Sequence, residues 1–284
     1  MRIVKIVFSV LFVVSVFFTV YINVSDKTDY NPPEIVCDSD TLFVSVNSTD
    51  KDILSHVTAT DEKDGDLTKN VVIESVSPFI GENNARIIFA VCDSDNNVSK
   101  LETNIEYTDY VNPDFYFANQ HVYYVGATKI DLMSGVSATD VLDGDISNRI
   151  VVTDSKVDLS QPGIYPVKYK VTTSKGVTSE IEVNAYVYAS RLKFNIELLD
   201  YLVYASEDSK IDPELYILDY PEEYFTGRIR DNYEYSFDII DDVDYTVPGI
   251  YYITYRMSRV YENDDSGEPE ILAEAYLAVA VRGD

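Results

Sequence analysis

A short segment that occurs twice in this chain constrains its fold more than any other feature. Residues 59–67 (ATDEKDGDL) return as residues 138–146 (ATDVLDGDI), about 80 residues later. A second signature, Pro-Gly-Ile-Tyr, spans residues 162–165 and returns at residues 248–251. A period of about 80 residues is the size of one small β domain rather than of a solenoid unit. The sequence therefore predicts three related domains, of which the third is the most divergent.

Short runs of alternating apolar and polar residues dominate the chain beyond residue 30. Examples are residues 41–46, 87–91 and 165–171, each bounded by Asp, Asn, Gly, Ser or Pro. Val, Ile, Thr and Tyr are frequent in these runs, and such side chains fit a pleated, half-buried surface. Short strands separated by frequent turn signals are typical of β-sandwiches, so we predict an all-β fold.

The repeats also predict the domain boundaries. Beyond an N-terminal segment at 1–25, we expect domains at 30–108, 109–189 and 190–284, called repeats one, two and three below. The residue before a proline is held extended, which places a linker at the start of repeat two. Because Gly/Ser linkers are scarce, we expect the domains to abut in a semi-rigid arrangement.

The first 25 residues predict the compartment. Arg2 and Lys5 are the only charged residues before Asp26, and the intervening chain is predominantly apolar. A helix of about 20 residues spans about 30 Å of hydrocarbon, whereas the apolar region of a cleaved signal peptide has only about 7–15 residues. We predict an uncleaved transmembrane signal anchor, with a cleaved signal peptide as the alternative. The positive-inside rule then places the N-terminus in the cytoplasm and the bulk of the chain outside the cell.

The charge of the chain excludes nucleic acid as a partner. There are 49 Asp and Glu against 22 Lys and Arg, and the formal net charge is −27. Such a surface repels nucleic acid and anionic lipid headgroups. Apart from the membrane around the helix, the expected partner is an extracellular protein or glycan.

The repeated motifs resemble the bacterial immunoglobulin-like repeats of Gram-positive cell-surface proteins. Repeat two carries the whole pattern, from Phe115 to Tyr188, while repeat one keeps the Asp-Gly-Asp element and repeat three keeps Pro-Gly-Ile-Tyr. The resemblance implies tandem antiparallel immunoglobulin-like β-sandwiches, used as spacer or adhesive modules on the cell surface. It implies no chemical reaction, and a fold by itself does not identify a ligand.

Each repeated turn of repeats one and two concentrates three carboxylates, which are candidate ligands for calcium. The candidates are Asp61, Asp64, Asp66, Asp140, Asp143 and Asp145. Calcium takes six to eight oxygen ligands, but the spacing here is not that of an EF-hand. The alternative is a tight turn in which glycine supplies a positive φ and the aspartates accept hydrogen bonds from backbone N–H groups. We predict no other cofactor.

Cys37 and Cys92 both lie in repeat one, on the extracellular side of the predicted membrane helix. An oxidising compartment permits a disulfide between them, and two reduced thiols are the alternative. His56 and His121 fall in different repeats, and neither is accompanied by a nucleophile or an acid in a catalytic arrangement. We therefore predict that the chain is not an enzyme.

Repeat three holds more than half of the 24 tyrosines of the chain. Five of them lie in an acidic stretch and are candidate binding residues: Tyr216, Tyr220, Tyr224, Tyr233 and Tyr235. Tyrosine combines an apolar face with a polar tip, which suits contact with sugars or with a basic protein. The alternative is that these tyrosines serve as core aromatics, since tryptophan is absent.

These observations predict a membrane-anchored, non-enzymatic surface protein. Its immunoglobulin-like repeats would act as a spacer that presents a membrane-distal binding domain for adhesion or for glycan or protein binding. The alternative is a structural or accessory subunit of a cell-envelope assembly, in which the repeats pack against sister proteins.

Overall fold

A computed structural model describes residues 2–25, 30–224, 232–261 and 269–283, with side chains of the first helix described for residues 10–21. The chain forms two compact units, Met1–Tyr110 and Val111–Asp284. Repeat one lies in the first unit, and repeats two and three lie together in the second. The division of the chain into three domains stays a prediction.

Helix α1 spans Arg2–Ser25, where the sequence predicts the anchor. The side chains of Arg2 and Lys5, on which the predicted orientation depends, lie outside the described residues, as do residues 26–29. Within the part of the chain that is described, no helix is long and apolar enough to cross a membrane. The predicted transmembrane signal anchor is therefore not confirmed.

The first unit pairs two sheets. Its strands are β1 (Glu34–Cys37), β2 (Thr41–Val44), β3 (Val57–Asp61), β4 (Gly65–Asp66), β5 (Val72–Val76), β6 (Asn84–Cys92) and β7 (Val98–Tyr107). The sheets have the orders β1-β3-β4 and β2-β7-β6-β5, and β2 runs parallel to β7 while the other neighbours are antiparallel. A short helix, α2 (Asp50–Leu54), is capped by Thr49 and carries Ile53 into the interior.

The alternating strands of the first unit bury one face and expose the other. In β6, Ala85, Ile87, Phe89 and Val91 are buried, and they are separated by residues with greater exposure. A period of two places successive side chains on opposite faces of a sheet, so this pattern forms a core on one side.

Repeat two repeats this plan in the second unit. Its strands are β8 (Asp114–Phe117), β9 (His121–Tyr124), β10 (Val136–Asp140), β11 (Gly144–Asp145), β12 (Val151–Ser155), β13 (Gly163–Thr172) and β14 (Thr178–Tyr188). The sheets have the orders β11-β10-β8 and β12-β13-β14-β9, with β9 parallel to β14. Both sheets contribute to one hydrophobic core, which includes Phe115, Ala138, Tyr169 and Val183. This arrangement is the predicted β-sandwich.

Repeat three keeps the larger sheet and reduces the smaller one. Its strands are β15 (Glu197–Leu198), β16 (Leu202–Ala205), β17 (Ile217–Asp219), β18 (Tyr233–Asp241), β19 (Gly249–Tyr261) and β20 (Glu270–Val281). The larger sheet has the order β16-β20-β19-β18 with β16 parallel to β20, and the smaller sheet pairs β15 with β17. The shared strand order supports the prediction of a divergent third copy.

In the larger sheet of repeat three, strand β20 buries both of its faces. Residues such as Leu277 and Val279 pack into the core of repeat three, whereas Leu202, Ala278 and Ala280 pack into the same cluster as the core of repeat two. Repeats two and three are therefore joined through a continuous apolar interior.

Candidate functional site

The aspartates of the first repeated turn accept hydrogen bonds from the chain around them. Asp61 Oδ1 accepts from the backbone N–H groups of residues 63 and 64, at 2.9 and 2.8 Å. Asp64 accepts from the backbone N–H and hydroxyl of Ser94, at 2.7 and 2.9 Å, and so joins the turn after β3 to the turn after β6. Asp66 accepts from the N–H of Thr68 at 2.9 Å, and hydrogen bonds from the side chain and then the backbone of Thr68 lower the pKa of Asp66. Gly65 adopts a φ of 76°, as the turn requires.

The turn of repeat two has the same contacts. Asp140 Oδ1 accepts from the N–H groups of residues 142 and 143, at 3.0 and 2.9 Å. Asp143 accepts from the N–H and hydroxyl of Ser174, both at 2.6 Å, and pairs with Arg149. Burial by itself raises the pKa of Asp143, but the bonds from Ser174 and Arg149 outweigh it and hold the pKa below its usual range. Asp145 accepts from Ser147, and its pKa is lowered by that contact.

These contacts favour the turn over the calcium site. The aspartate oxygens already accept hydrogen bonds from N–H and O–H donors. Within each sandwich, Asp64 or Asp143 links a turn of the smaller sheet to a turn of the larger sheet. Among the described residues, no group of three or more His, Cys, Asp or Glu side chains could hold a metal ion. Calcium binding stays a prediction. We call Asp143, Ser174 and Arg149 the aspartate clip.

The cysteines and histidines lie at separate places. Cys37 ends β1 and Cys92 ends β6; both are free thiols, and Cys92 is exposed. His56 Nδ1 lies 3.0 Å from Asp38 Oδ2 at the surface of the first unit. His121 is buried in repeat two, with Nε2 3.1 Å from the hydroxyl of Tyr169, and burial lowers its pKa. The neutral imidazole that this favours is a core group of the sandwich.

The candidate tyrosines of repeat three are packed to different degrees against its core. Four of them are partly buried against the apolar cluster: Tyr216, Tyr220, Tyr224 and Tyr235. Tyr233 contacts the ring of Tyr261 and lies under the guanidinium of Arg259, 3.9 Å from the ring centroid. This packing matches the alternative that tyrosine is the core aromatic here, and their role in binding stays a prediction.

A cavity in the second unit lies where repeats two and three meet, and we call it the junction groove. It encloses about 410 Å³. Its lining combines aromatic rings, amides and carboxylates, supplied chiefly by Asn119, Gln120, Tyr124, Tyr188, Phe194, Asn195, Glu197 and Glu274. This volume falls in the range of small-molecule sites, about 300–1,000 Å³.

A hydrogen-bonded network forms the floor of the junction groove. Glu274 is buried, and its Oε2 accepts from the hydroxyls of Tyr188 at 3.1 Å and Tyr276 at 2.7 Å. Its Oε1 accepts from Nε of Arg256 at 2.7 Å. Burial raises the pKa of Tyr276 to about 12 and moves the pKa of Tyr188 above its usual range. Both hydroxyls are therefore protonated donors that hold the carboxylate in place.

A second cavity of about 320 Å³ lies beside the junction groove. The two share Phe194 and Asn195, and the second adds Asp219, Tyr220 and Pro221. One of the predicted binding tyrosines, Tyr220, thus lines a cavity. The sequence does not reveal the groove, because its walls come from the distant segments 118–124, 188–201, 218 and 274, and no single motif marks them.

Comparison with known proteins supports the predicted resemblance. Residues 122–185 match the family model described as bacterial surface protein, Ig-like domain. The chain is also 30% identical over 125 residues to the pesticidal crystal protein Cry22Aa of Bacillus thuringiensis. The aligned segment covers 43% of this chain and 17% of that protein. The chain thus spans about a sixth of the length of this curated relative.

Several solved structures match the chain at low sequence identity and with low TM-scores. The CBM51-2 domain in complex with GlcNAc and INT domains of Clostridium perfringens ZmpB is 21% identical, with a TM-score of 0.28, and the match covers 60% of this chain and 42% of that one. The lipoprotein BT2262 of Bacteroides thetaiotaomicron is 17% identical, with a TM-score of 0.25. That match covers 57% of this chain and 79% of the lipoprotein. TM-scores this low carry no weight for function. The family match is the firmer finding, and it confirms that residues 122–185 are similar to the Ig-like domain of bacterial surface proteins.

Proposed function

We propose that this chain is a non-enzymatic cell-surface protein whose immunoglobulin-like repeats form a spacer. Repeats two and three would act as one stiff outer element that presents a binding surface outside the cell. Helix α1 would hold the chain in the membrane as a single-pass signal anchor with a cytoplasmic N-terminus. The similarity of residues 122–185 to a bacterial surface domain supports the extracellular setting.

The joint between repeats two and three is the observation that carries the proposal. The hydroxyl of Tyr204 accepts from the N–H of Phe115 at 2.9 Å, and the hydroxyl of Tyr252 accepts from the N–H of Asn184 at 2.8 Å. The N–H of Tyr201 donates to the carbonyl of Phe117 at 3.0 Å. Because these bonds surround a shared apolar core, bending at the joint would expose buried surface. A stiff joint suits a spacer.

The surface of helix α1 supports the anchor. The side chains of residues 10–21 are all exposed, and they include Phe12 and Phe17 at 71% and 73% exposure. A contiguous apolar surface of this kind marks a protein or membrane contact. Arg2 and Lys5 at the start of the helix favour a cytoplasmic N-terminus.

Thiol labelling on intact cells tests the proposal, because Cys92 is exposed in repeat one. A membrane-impermeant maleimide is added to cells that produce the full chain, with and without a membrane-impermeant reductant. We expect labelling without lysis, and its loss in the Cys37→Ser/Cys92→Ser variant. Labelling only after reduction would still place repeat one outside and would also reveal a disulfide.

Labelling only after lysis would overturn the extracellular setting. Release of the chain by carbonate washing, without detergent, would overturn the anchor alone. Stoichiometric co-purification with other envelope proteins would instead favour the assembly subunit over the independent spacer.

A further inference from the structure

We infer that the junction groove is a binding site for neutral carbohydrate. The inference rests on the proposed function only for the cell-surface setting in which glycans are met. The groove differs from the tyrosine stretch that the sequence predicts, because repeat two and repeat three both supply its walls.

The lining of the groove has the chemistry of a sugar site. Tyr124, Tyr188 and Phe194 offer apolar ring faces, and the amides of Asn119, Gln120 and Asn195 offer both donors and acceptors. A sugar ring presents an apolar C–H face and a rim of hydroxyl groups that donate and accept. Among the described residues that line the groove, none is Lys, Arg or His. The guanidinium of Arg191 lies 5.6 Å from the ring centroid of Tyr124, and Arg256 is paired with Glu274, so the cations beside the groove already contact protein groups. With a lining that itself lacks cations, on a chain of charge −27, an anionic ligand is disfavoured.

The charge of the groove also disfavours a cationic ligand. The carboxylate of Glu274 is paired with Arg256 and holds two tyrosine hydroxyls. Its negative charge is thereby largely compensated within the protein, although one acidic lining residue, Glu197, remains exposed. A basic peptide would gain little from Glu274, whereas a neutral polyol needs only acceptor and donor capacity.

The polar groups are held in place before any ligand arrives. Gln120 Oε1 accepts from the N–H of Tyr276 at 2.9 Å, and its Nε2 lies 3.4 Å from the carbonyl oxygen of Glu274. Asn195 Nδ2 donates to Glu197 Oε1 at 3.2 Å. A carboxylate offers about four lone-pair sites, so Glu197 keeps acceptor capacity for a sugar hydroxyl. Fixed side chains lower the entropy cost of binding.

The adjoining cavity extends the site. Because Phe194 and Asn195 line both cavities, a ligand in the junction groove can continue toward Asp219 and Tyr220. This continuity favours an oligosaccharide over a single sugar ring. Tyr220 would then contact the distal part of the same ligand.

Glycan binding by the full chain tests the inference. The chain is purified in a zwitterionic detergent, because glucoside and maltoside detergents carry sugars that would compete. An array of neutral and anionic oligosaccharides identifies a probe, and titration calorimetry with that probe compares Tyr124→Ala, Asn195→Ala and the control Tyr116→Ala. Tyr116 is an exposed tyrosine on β8 that does not line the groove.

We expect a neutral oligosaccharide to bind, with affinity falling at least about tenfold in Tyr124→Ala and Asn195→Ala and staying unchanged in Tyr116→Ala. Asn195 is exposed, so its substitution leaves the fold intact even if Tyr124→Ala does not. Saturation-transfer NMR should show transfer from tyrosine ring protons to sugar C–H groups.

Binding restricted to anionic oligosaccharides or to an added lysine-rich peptide would overturn the inference, as would an array without any signal. Equal affinity of the three variants and the unsubstituted chain would also overturn it. The maleimide experiment reports the cell-surface setting separately, so a labelled chain with a blank array refutes the sugar site alone.

Discussion

Strands β7, β14 and β20 hold the same place in the three repeats, yet their burial differs along the series. Strand β7 alternates between exposed and less exposed residues over most of its length. Strand β14 alternates at first and is then buried over residues 185–187, while β20 is buried at nearly every position from residue 272 to 281. Alternation means that one face of the sheet is solvated, and continuous burial means that both faces are covered. At this strand position, the repeats thus progress from a strand with one solvated face to a strand that is covered on both faces.

Repeats two and three hold their sheets together by different means. Repeat two has a complete smaller sheet and the aspartate clip, which ties the turn after β10 to the turn after β13 through Asp143 and Ser174. Within the described part of repeat three, β15 and β17 alone stand in place of that sheet, and its sequence has no Asp-Gly-Asp turn. Its larger sheet instead packs against repeat two. The comparison shows that docking on a neighbour can stand in for a local clip.

Among the changes that test this difference between the repeats, Ala278→Asp should lower stability the most. Ala278 is 3% exposed and packs in the core cluster of repeat two, so a carboxylate there is buried without a partner. We expect a loss of about 3 kcal/mol or more from the free energy of unfolding of repeat three. Hydrogen exchange measured peptide by peptide on the full chain reports this loss in β19 and β20.

The exposed residue Ala189 provides the control, because Ala189→Asp adds the same charge at a solvated position. In the unsubstituted chain, the backbone amides of β13 and β19 should exchange their hydrogens with the same free energy of opening, since the two strands share a core. If Ala278→Asp left both strands as protected as Ala189→Asp does, the joint would not be what stabilises repeat three.

Removal of the aspartate clip should have an intermediate effect, confined to repeat two. Asp143→Ala removes the acceptor of two bonds from Ser174 and the partner of Arg149. Bonds to charged groups contribute about 1.5–3 kcal/mol each in favourable cases, so we expect a net loss of about 1–3 kcal/mol. Urea denaturation measures this loss of stability, and hydrogen exchange of peptides from β12 and β13 locates it in repeat two. Asp154→Ala, at an exposed position on β12, is the control, and an equal effect of the two substitutions would exclude a role for the clip.

Local patterns explain which parts of the fold could be predicted. Alternation marks strands such as β6 and β13, and the Asp-Gly-Asp segments mark turns, because both depend on residues close in sequence. The repeated motifs likewise predict a third copy. The larger sheet of repeat three has the same strand order as those of repeats one and two. The scarcity of linkers predicts that the repeats abut, but the shared apolar core of repeats two and three was not predicted. Its signal in the sequence is the nearly unbroken apolar run at residues 271–281, which is typical of a strand covered on both faces.

The junction groove could not be predicted in the same way. Gln120, Tyr188 and Glu274 meet only because repeat three docks on repeat two, and that contact depends on packing between segments far apart in sequence. The tyrosine stretch attracted the prediction because its residues are neighbours in the chain. Most of its members instead pack on the core of repeat three, and Tyr220 also borders the second cavity.

Calcium should have the smallest effect, and its addition tests how the repeated turns work. A cation at Asp140, Asp143 and Asp145 would have to compete with the N–H and O–H donors that these carboxylates already bind. We expect the melting temperature of the full chain to change by less than about 1 °C on addition of about 1 mM Ca²⁺, since a ligand that binds weakly stabilises little. Magnesium at the same concentration controls for ionic strength. A rise in melting temperature that is specific to calcium and disappears in Asp140→Asn would instead support the calcium site. Repeats one and two would then differ from repeat three by a bound ion as well as by the clip.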